Sequence, residues 1–277
     1  MNRIGAHLHI ASGIDPLIKE IQLLNINTLQ IFSGSPRTYR KTAPMNSESL
    51  KYLEKKLQEI DIYPLVIHAP YLVNLGSLRE GVALKSAYTL ENEIRFLELI
   101  NGQYLVFHSG SSKTPLNEKR MIYYLDSLAD MVPPGIQLLL ENNAGGETSK
   151  ISYLQNLINK VSKTDSLGIC LDTCHLYAAG YDLRNNDAVN RVFEEADGMV
   201  KLIHLNDSRG TLGSGVDRHA HIGKGNIGLQ GIITFLHNKS IDDLPIIIET
   251  PKDSLDSDGD NLKIIRHILG RKIVDSD

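Results

Sequence analysis

Six short apolar runs in this sequence stop at a residue able to bind a metal. They are PLVIH at His68, QYLVFH at His108, QLLLE at Glu141, LGICLD at Asp172, VKLIH at His204 and PIIIE at Glu249. Three more donors lie just beyond such ends: His175, three positions after Asp172 in DTCH, and Asp217 and His219, spaced D-x-H after the seventh run. Taken singly, a histidine at such a place is more often a hydrogen-bonded or surface residue, and a buried carboxylate usually pairs with Lys or Arg. Five histidines and four carboxylates in matching positions change that balance. Carboxylates gathered in one cavity without cationic partners repel and lose their charge, and few basic residues flank these ends, Arg218 being the nearest in sequence. Divalent cations resolve the conflict. Mixed imidazole and carboxylate donors suit Zn²⁺, or Mn²⁺ where oxygen dominates. Nine ligands exceed the needs of one ion and, with bridging, fit two or three. Such a cluster would make a locally positive site that accepts an anion such as phosphate.

The elements that must position these residues follow from the same runs. With IGAHLHI from Ile4 and TLQIFSG from Thr28 there are eight, each a continuous apolar stretch of the kind buried on both faces in a parallel sheet. Helical spacing fills the gaps. Asp15-Pro16 reads as an N-cap and first helical position ahead of Leu17, Ile18, Ile21 and Leu24. Leu50, Leu53, Leu57 and Ile60 form a second stripe, and Leu78 to Ile100 is a long helix that Gly102 can close. Asn117, Ser149, Asn226 and Asp260 read as caps of later helices. This alternation predicts an α/β fold, a single (β/α)₈ TIM barrel over residues 1–277 with its site at the carboxyl ends of the strands. A doubly wound open sheet is the alternative, but no Gly-rich dinucleotide loop follows the first run. Side chains alternate along a strand, so the inward neighbour of each terminal donor should be apolar two positions earlier. Val66, Val106, Leu139, Cys170, Leu202 and Ile247 satisfy this.

Composition narrows the class. The 277 residues are 42% hydrophobic and 22% charged, with 29 Lys plus Arg against 33 Asp plus Glu and a formal charge of −4. A fold of this length buries roughly 75% of its unfolded surface. The balance excludes a polybasic, coat-like nucleic-acid binder and a disordered acidic chain. Two cysteines, Cys170 and Cys174, exclude a disulfide framework, lack zinc-ribbon spacing and suit a reducing compartment; they read as a buried thiol and a loop thiol. No apolar run is long enough to span a bilayer, and His7 and His9 interrupt the N-terminal stretch where a signal peptide would be apolar. A soluble, cytoplasmic protein without a predicted protein partner is expected. The acidic stretch from Asp253 to Asp260 reads as a solvated loop.

Longer strings around these donors carry a resemblance. HAPYLVNLGS at His68, FHSG at Phe107, ENNAG at Glu141, DTCHLYAAGYD at Asp172, HLNDS at His204, DRHAHIGKG at Asp217 and ET at Glu249 are spread over nearly the whole chain. Together they resemble the endonuclease IV family (AP endonuclease family 2), the zinc-dependent apurinic/apyrimidinic endonucleases of base-excision repair. The resemblance implies a barrel with a trinuclear zinc site. His68 and His108 would hold one ion, with Glu141 bridging to a second that Asp172, His204 and Glu249 complete, and His175, Asp217 and His219 would hold the third. All nine positions carry the expected residue type. Family members insert loop side chains into damaged DNA, and Arg37, Tyr71 and Leu72 match those positions; the plainer reading is a surface cation and two core residues under a loop. His7 matches the family, whereas His9 stands where a small polar residue is frequent and has no assigned role beyond packing. The chain has no Trp, and Tyr39 stands where an aromatic is expected after Arg37.

The implied activity is hydrolysis of the phosphodiester bond 5′ to an abasic site in duplex DNA, leaving a 3′-hydroxyl and a 5′-deoxyribose phosphate, together with phosphatase and phosphodiesterase cleaning of blocked 3′ ends. Zinc can lower the pKa of water from 15.7 toward ~7, which makes hydroxide available at neutral pH, and Glu141 could orient or deprotonate the attacking water. An abasic nucleotide has no base to unstack, so flipping it costs less, and a bent duplex would add selectivity. The strongest rival is a sugar isomerase or epimerase of the same superfamily, holding one metal through Glu141, Asp172, His204 and Glu249. His68, His108, His175, Asp217 and His219 distinguish the two, because a one-metal enzyme has no use for all five. A non-catalytic damaged-DNA binder would not need the complete set.

Overall fold

The computed structural model describes residues 2–38, 46–110, 113–254 and 256–270; Tyr39 lies outside them. Eight parallel strands form the barrel: β1 (Ile4–Leu8), β2 (Thr28–Ile31), β3 (Leu65–His68), β4 (Tyr104–Phe107), β5 (Gln137–Glu141), β6 (Leu167–Asp172), β7 (Val200–His204) and β10 (Ile246–Ile248). They hydrogen-bond in chain order, and β1 closes the ring against β10, with Ile4 beside Ile246 and Ala6 beside Ile248. A two-stranded antiparallel ribbon, β8 (Asp207–Ser208) and β9 (His219–Ala220), sits in the connection after β7.

The strands alternate between two cores, as a closed sheet must. Outward residues such as Leu29, Ile31, Ile67, Phe107 and Leu140 join the helices in one large apolar cluster. Val66, Val106, Leu139, Cys170, Leu202 and Ile247 form a second, separate cluster inside the ring. These are the six residues that strand alternation places beneath the donors. Where β1 meets β2 the strands approach so closely that a Cβ on Gly5 would collide with the Thr28 backbone carbonyl, so glycine is required there.

The surrounding helices are α1 (Ile14–Leu24), α2 (Ser47–Glu59), α3 (Glu80–Leu99), α4 (Pro115–Met131), α5 (Ile151–Ile158), α6 (Thr173–Ala179), α7 (Asn186–Ala196), α8 (Gly228–Leu236) and α9 (Ser257–Ile268). The apolar stripes are buried as their spacing predicts, through Leu17, Ile18 and Ile21 on α1 and Leu50, Leu53 and Leu57 on α2. Full burial of one such side chain contributes roughly 1.5–3 kcal/mol. Among the described residues no helix is long and apolar enough to cross a membrane.

Several helix ends differ from expectation. Gly13 caps α1, so Asp15 and Pro16 lie inside its first turn, and the Asp15 carboxylate instead accepts the Tyr52 hydroxyl. Thr114 caps α4, while Asn117 turns inward to donate to the Gly76 carbonyl. Lys150, Ile227 and Asp256 take the cap positions expected of Ser149, Asn226 and Asp260. Asn101, at φ 52°, makes the left-handed turn after α3 that is expected of Gly102. The acidic stretch is loop only in part: α9 begins at Ser257, and Asp258 is buried against Lys252. Cys174 is not a loop thiol but a buried residue of α6.

Candidate metal centre

Strand geometry brings the predicted donors together at one mouth of the barrel. His68, Glu141, Asp172 and His204 are the last residues of β3, β5, β6 and β7, and His108 and Glu249 follow β4 and β10 directly. His175 lies in the first turn of α6, where the Asp172 carboxylate caps the helix by accepting the His175 N–H at 2.8 Å. Asp217 and His219 come from the loop and ribbon after β7. Asp172 and His204 are fully buried, whereas Asp217 is 58% exposed at its side chain.

Among the described residues these donors form two groups that share Glu141 and a third beside them. In one, His68 Nε2 and His108 Nε2 lie 3.1 and 3.3 Å from Glu141 Oε2. In the next, His204 Nδ1 lies 2.9 Å from Glu141 Oε1 and 3.4 Å from Glu249 Oε2, with Asp172 completing a set of four. In the last, Asp217 Oδ1 is 2.9 Å from His175 Nε2 and 3.5 Å from His219 Nε2. Within each group the donor atoms lie within 4.8 Å of one another, close enough to converge on one ion. Glu141 belongs to the first two groups, one oxygen facing each.

Hydrogen bonds fix which nitrogen faces the carboxylates in four of the five donor rings, His68, His175, His204 and His219. A backbone carbonyl can only accept, so His68 Nδ1 donates to Ala69, His175 Nδ1 to Asn142 and His219 Nδ1 to Glu249, at 2.7, 2.9 and 3.0 Å. His204 is reversed: its Nε2–H donates to Gln30 Oε1 at 2.8 Å, which leaves Nδ1 toward Glu141. In the neutral tautomers four imidazole lone pairs therefore aim at carboxylate oxygens. That arrangement is repulsive unless a proton or a cation lies between. The donor set thus fits divalent cations, and the outer hydrogen bonds are those that orient metal-binding histidines.

Without a cation, protons take that place. Burial opposes protonation of His175, but Asp172, the Asp217 hydrogen bond and Glu141 raise its pKa to about 10. His68 and His204 are likewise raised against the cost of burial, His68 by Glu141 and His204 by contributions from Cys170, Glu249 and Glu141. Burial alone would raise Glu141 and Glu249, yet the neighbouring histidines hold both below the usual carboxylate range. Burial pushes the Cys170 and Cys174 thiols up to about 12. Both thiols therefore stay protonated in the metal-free fold, while Cys170 lies close to the donor atoms of Glu141 and His204, and Cys174 to those of Asp172 and His219.

A supporting layer goes beyond the residues that sequence reasoning selects. Gln30 Nε2 donates to Glu249 Oε1 at 2.6 Å and to His7 Nδ1 at 2.8 Å, while its carbonyl orients His204. Asn206 donates to Asp172 Oδ2 at 2.7 Å and accepts the Glu249 N–H at 2.9 Å. Asn142 accepts the Asp172 N–H at 2.8 Å. The sequence does hold one signal for them: Gln30 is a polar residue at an inward position of a strand, and Asn142 and Asn206 closely follow donors. His7, which matches the resemblance, packs in this layer with its ring 4.3 Å from Phe32.

Tyr71 and Leu72 are 58% and 42% exposed, not core residues under a loop, and Arg37 is exposed too. The Tyr71 N–H donates to the Pro36 carbonyl at 3.1 Å, which joins the loop after β3 to that after β2. Its ring packs edge-on against His68 and Phe32, at 5.8 and 5.6 Å, so it rims the donor cluster. Burial, then the charges of Glu249, Glu141 and Asp217, raise the phenol to about 12, so it stays protonated. A groove of about 830 Å³ runs beside this rim, lined in part by Phe32, Ser33, Ser35, Tyr52 and the exposed His9.

Comparison with known proteins gives a consistent picture. Residues 18–270 match the xylose isomerase-like TIM barrel family. A probable endonuclease 4 of Halothermothrix orenii is 38% identical over 276 residues, covering 95% of this chain and 99% of that protein. The crystal structure of endonuclease IV from Thermus thermophilus superposes with a TM-score of 0.84 at 33% identity, covering 97% of this chain and 99% of that one. An L-ribulose 3-epimerase structure matches with a TM-score of 0.72 at 16% identity, covering 98% and 93% of the two chains, a likeness of fold alone.

Proposed function

The chain belongs to the endonuclease IV family of nucleases, and from that membership we propose that it hydrolyses the phosphodiester bond 5′ to abasic sites in duplex DNA, leaving a 3′-hydroxyl and a 5′-deoxyribose phosphate, and also clears blocked 3′ ends. The observation that carries this reading is the convergence of nine donors in three adjacent groups, two of them sharing Glu141, with four imidazoles held in the tautomer that faces the carboxylates. A one-metal isomerase would use Glu141, Asp172, His204 and Glu249 and leave the other five without a task.

His68, His108 and Glu141 would hold one zinc ion; Glu141, Asp172, His204 and Glu249 a second; His175, Asp217 and His219 a third, with Mn²⁺ an alternative where oxygen donors dominate. When bound, such ions supply Lewis acidity that acidifies water and neutralises phosphate charge. Glu141, facing two groups at once, fixes their spacing and is also placed to orient or deprotonate a water between them. Asp217, the most exposed donor, and His108 stand where a phosphate would enter. Arg37, Tyr71 and Leu72 reach outward from the same rim. In this reading the Arg37 guanidinium would meet the DNA backbone while the apolar faces of Tyr71 and Leu72 wedge into the stack, favouring a site already lacking a base. Phe32 and the Tyr71 ring shield His68 from bulk water.

The test is a duplex carrying one synthetic abasic analogue, incubated with zinc-loaded protein without added Mg²⁺, with metal content measured on the same sample. A nick on the 5′ side and about three zinc ions per chain are expected. Fully loaded protein that leaves the duplex intact would refute the assignment, and a single bound ion would favour the isomerase.

A further inference from the structure

Asn261 lies on α9, outside the donor set, and is buried at 2% exposure. Its amide reaches two separate segments. The side-chain oxygen accepts the Ile222 N–H at 2.8 Å. The side-chain nitrogen lies 3.0 Å from His221 Nδ1, 3.0 Å from Thr250 Oγ1 and 2.7 Å from the Ser257 carbonyl. Ile222 and His221 directly continue the ribbon that ends the Asp217–His219 segment, and Thr250 is the residue after Glu249. One planar amide therefore ties the loop carrying two donors to the strand end carrying a third.

This tie matters because little regular structure holds that loop. The ribbon strand β9 is only two residues long, and Asp217 lies outside it and is largely exposed. The His219 ring adds one bond to the Glu249 carbonyl, at 3.0 Å, and that bond needs the same spacing between the two segments. Only an amide offers an acceptor to Ile222 and, from the same rigid group, two N–H donors for the acceptors around its nitrogen.

We propose that Asn261 is a positioning residue: by pinning the Asp217–His219 loop to the Glu249 segment it sets the geometry of the His175, Asp217 and His219 group, and hence that group's affinity for a divalent cation. The proposal rests on reading this group as a metal site. Chelator-competition titrations with Zn²⁺ on metal-stripped wild type, Asn261→Leu, Asn261→Asp and the control Asp217→Ala separate the two ideas. Asn261→Leu should weaken one class of sites by about 10-fold, the low end of the effect of removing a ligand's own outer partner because Asn261 acts one step further out, and leave the other classes unchanged. Asn261→Asp keeps the acceptor for Ile222 but sets an oxygen against the Ser257 carbonyl, so it should weaken the same class of sites; it also serves if the leucine variant does not fold. Thermal unfolding of the stripped proteins reports any purely structural role. Wild-type zinc affinity in both variants, or a uniform weakening of every site in step with lost stability, would overturn the proposal. Wild type that binds no zinc, or Asp217→Ala with an unchanged zinc count, would instead overturn the metal reading of the group.

Discussion

A single amide shows how much depends on individual residues here. Gln30 is the acceptor that keeps the proton of His204 on Nε2, and its NH₂ group holds Glu249 Oε1. Gln30→Leu removes both and frees the ring to present the wrong nitrogen. It should weaken zinc at the Glu141, Asp172, His204 and Glu249 group by about 10- to 100-fold, as read by chelator competition; an unchanged affinity would show that packing alone orients His204. Glu141→Gln should keep the fold, since the pocket tolerates an amide of the same shape. It should lose most nicking activity, because one of the two oxygens facing separate groups becomes a nitrogen that cannot ligate; retained activity would remove Glu141 from the mechanism. The pH dependence follows from His175, raised to about 10 in the metal-free fold against an ordinary 6.5. A raised folded pKa stabilises while the proton is bound. The contribution is complete below pH 6.5 and disappears as pH climbs through about 10. The stability difference between stripped wild type and stripped His175→Gln should therefore shrink across that window in urea titrations. Zinc affinity should move the other way, since the metal must displace that proton.

At the scale of elements, loops carry what the strands cannot. The Asp207 carboxylate is fully buried and accepts the backbone N–H groups of Ser208, Gly225, Ile227 and Gly228, which anchors the far side of the connection that bears Asp217 and His219. The loop after β3 presents Tyr71, so Tyr71→Ala should weaken binding to an abasic duplex more than to an intact one in parallel titrations; equal losses would make it a structural residue. The strands themselves were legible because each is a short, mostly apolar run, six of the eight stopping at a residue able to bind a metal, and alternation then fixed the inner layer from Val66 to Ile247. Helix starts were less so. Thr114 outcompetes Asn117 as a cap because the chain turns before Pro115, and Gly13 adopts a φ of 104° that starts α1 ahead of Asp15. Gln30 shows in the sequence only as a polar residue at an inward strand position, and Asn261 not at all. Gln30 meets His204 and Glu249, and Asn261 meets His221 and Ile222, only through the closed fold, and no local spacing encodes such a meeting.

The whole molecule has a formal charge of −4, yet its substrate in the proposed role is a polyanion. The donors come from the ends of six barrel strands and from the connections after β6 and β7, so cations held there would cross-link most of the ring as well as offset its carboxylates. Ligand linkage then makes metal content a stability variable. A site filled at 100 times its dissociation constant adds about 2.7 kcal/mol, which for a domain near this size corresponds to roughly 5–10 °C in melting temperature. Stripping with a strong chelator should lower the calorimetric midpoint by at least that much, and stoichiometric Zn²⁺ should restore it. Mg²⁺ demands octahedral oxygen ligands and sheds water reluctantly, so it should not restore the midpoint against five imidazoles even in large excess. A midpoint indifferent to chelation would mean that protons, not cations, occupy the spaces between histidine and carboxylate, and the barrel mouth would then lack the charge that draws in a phosphate.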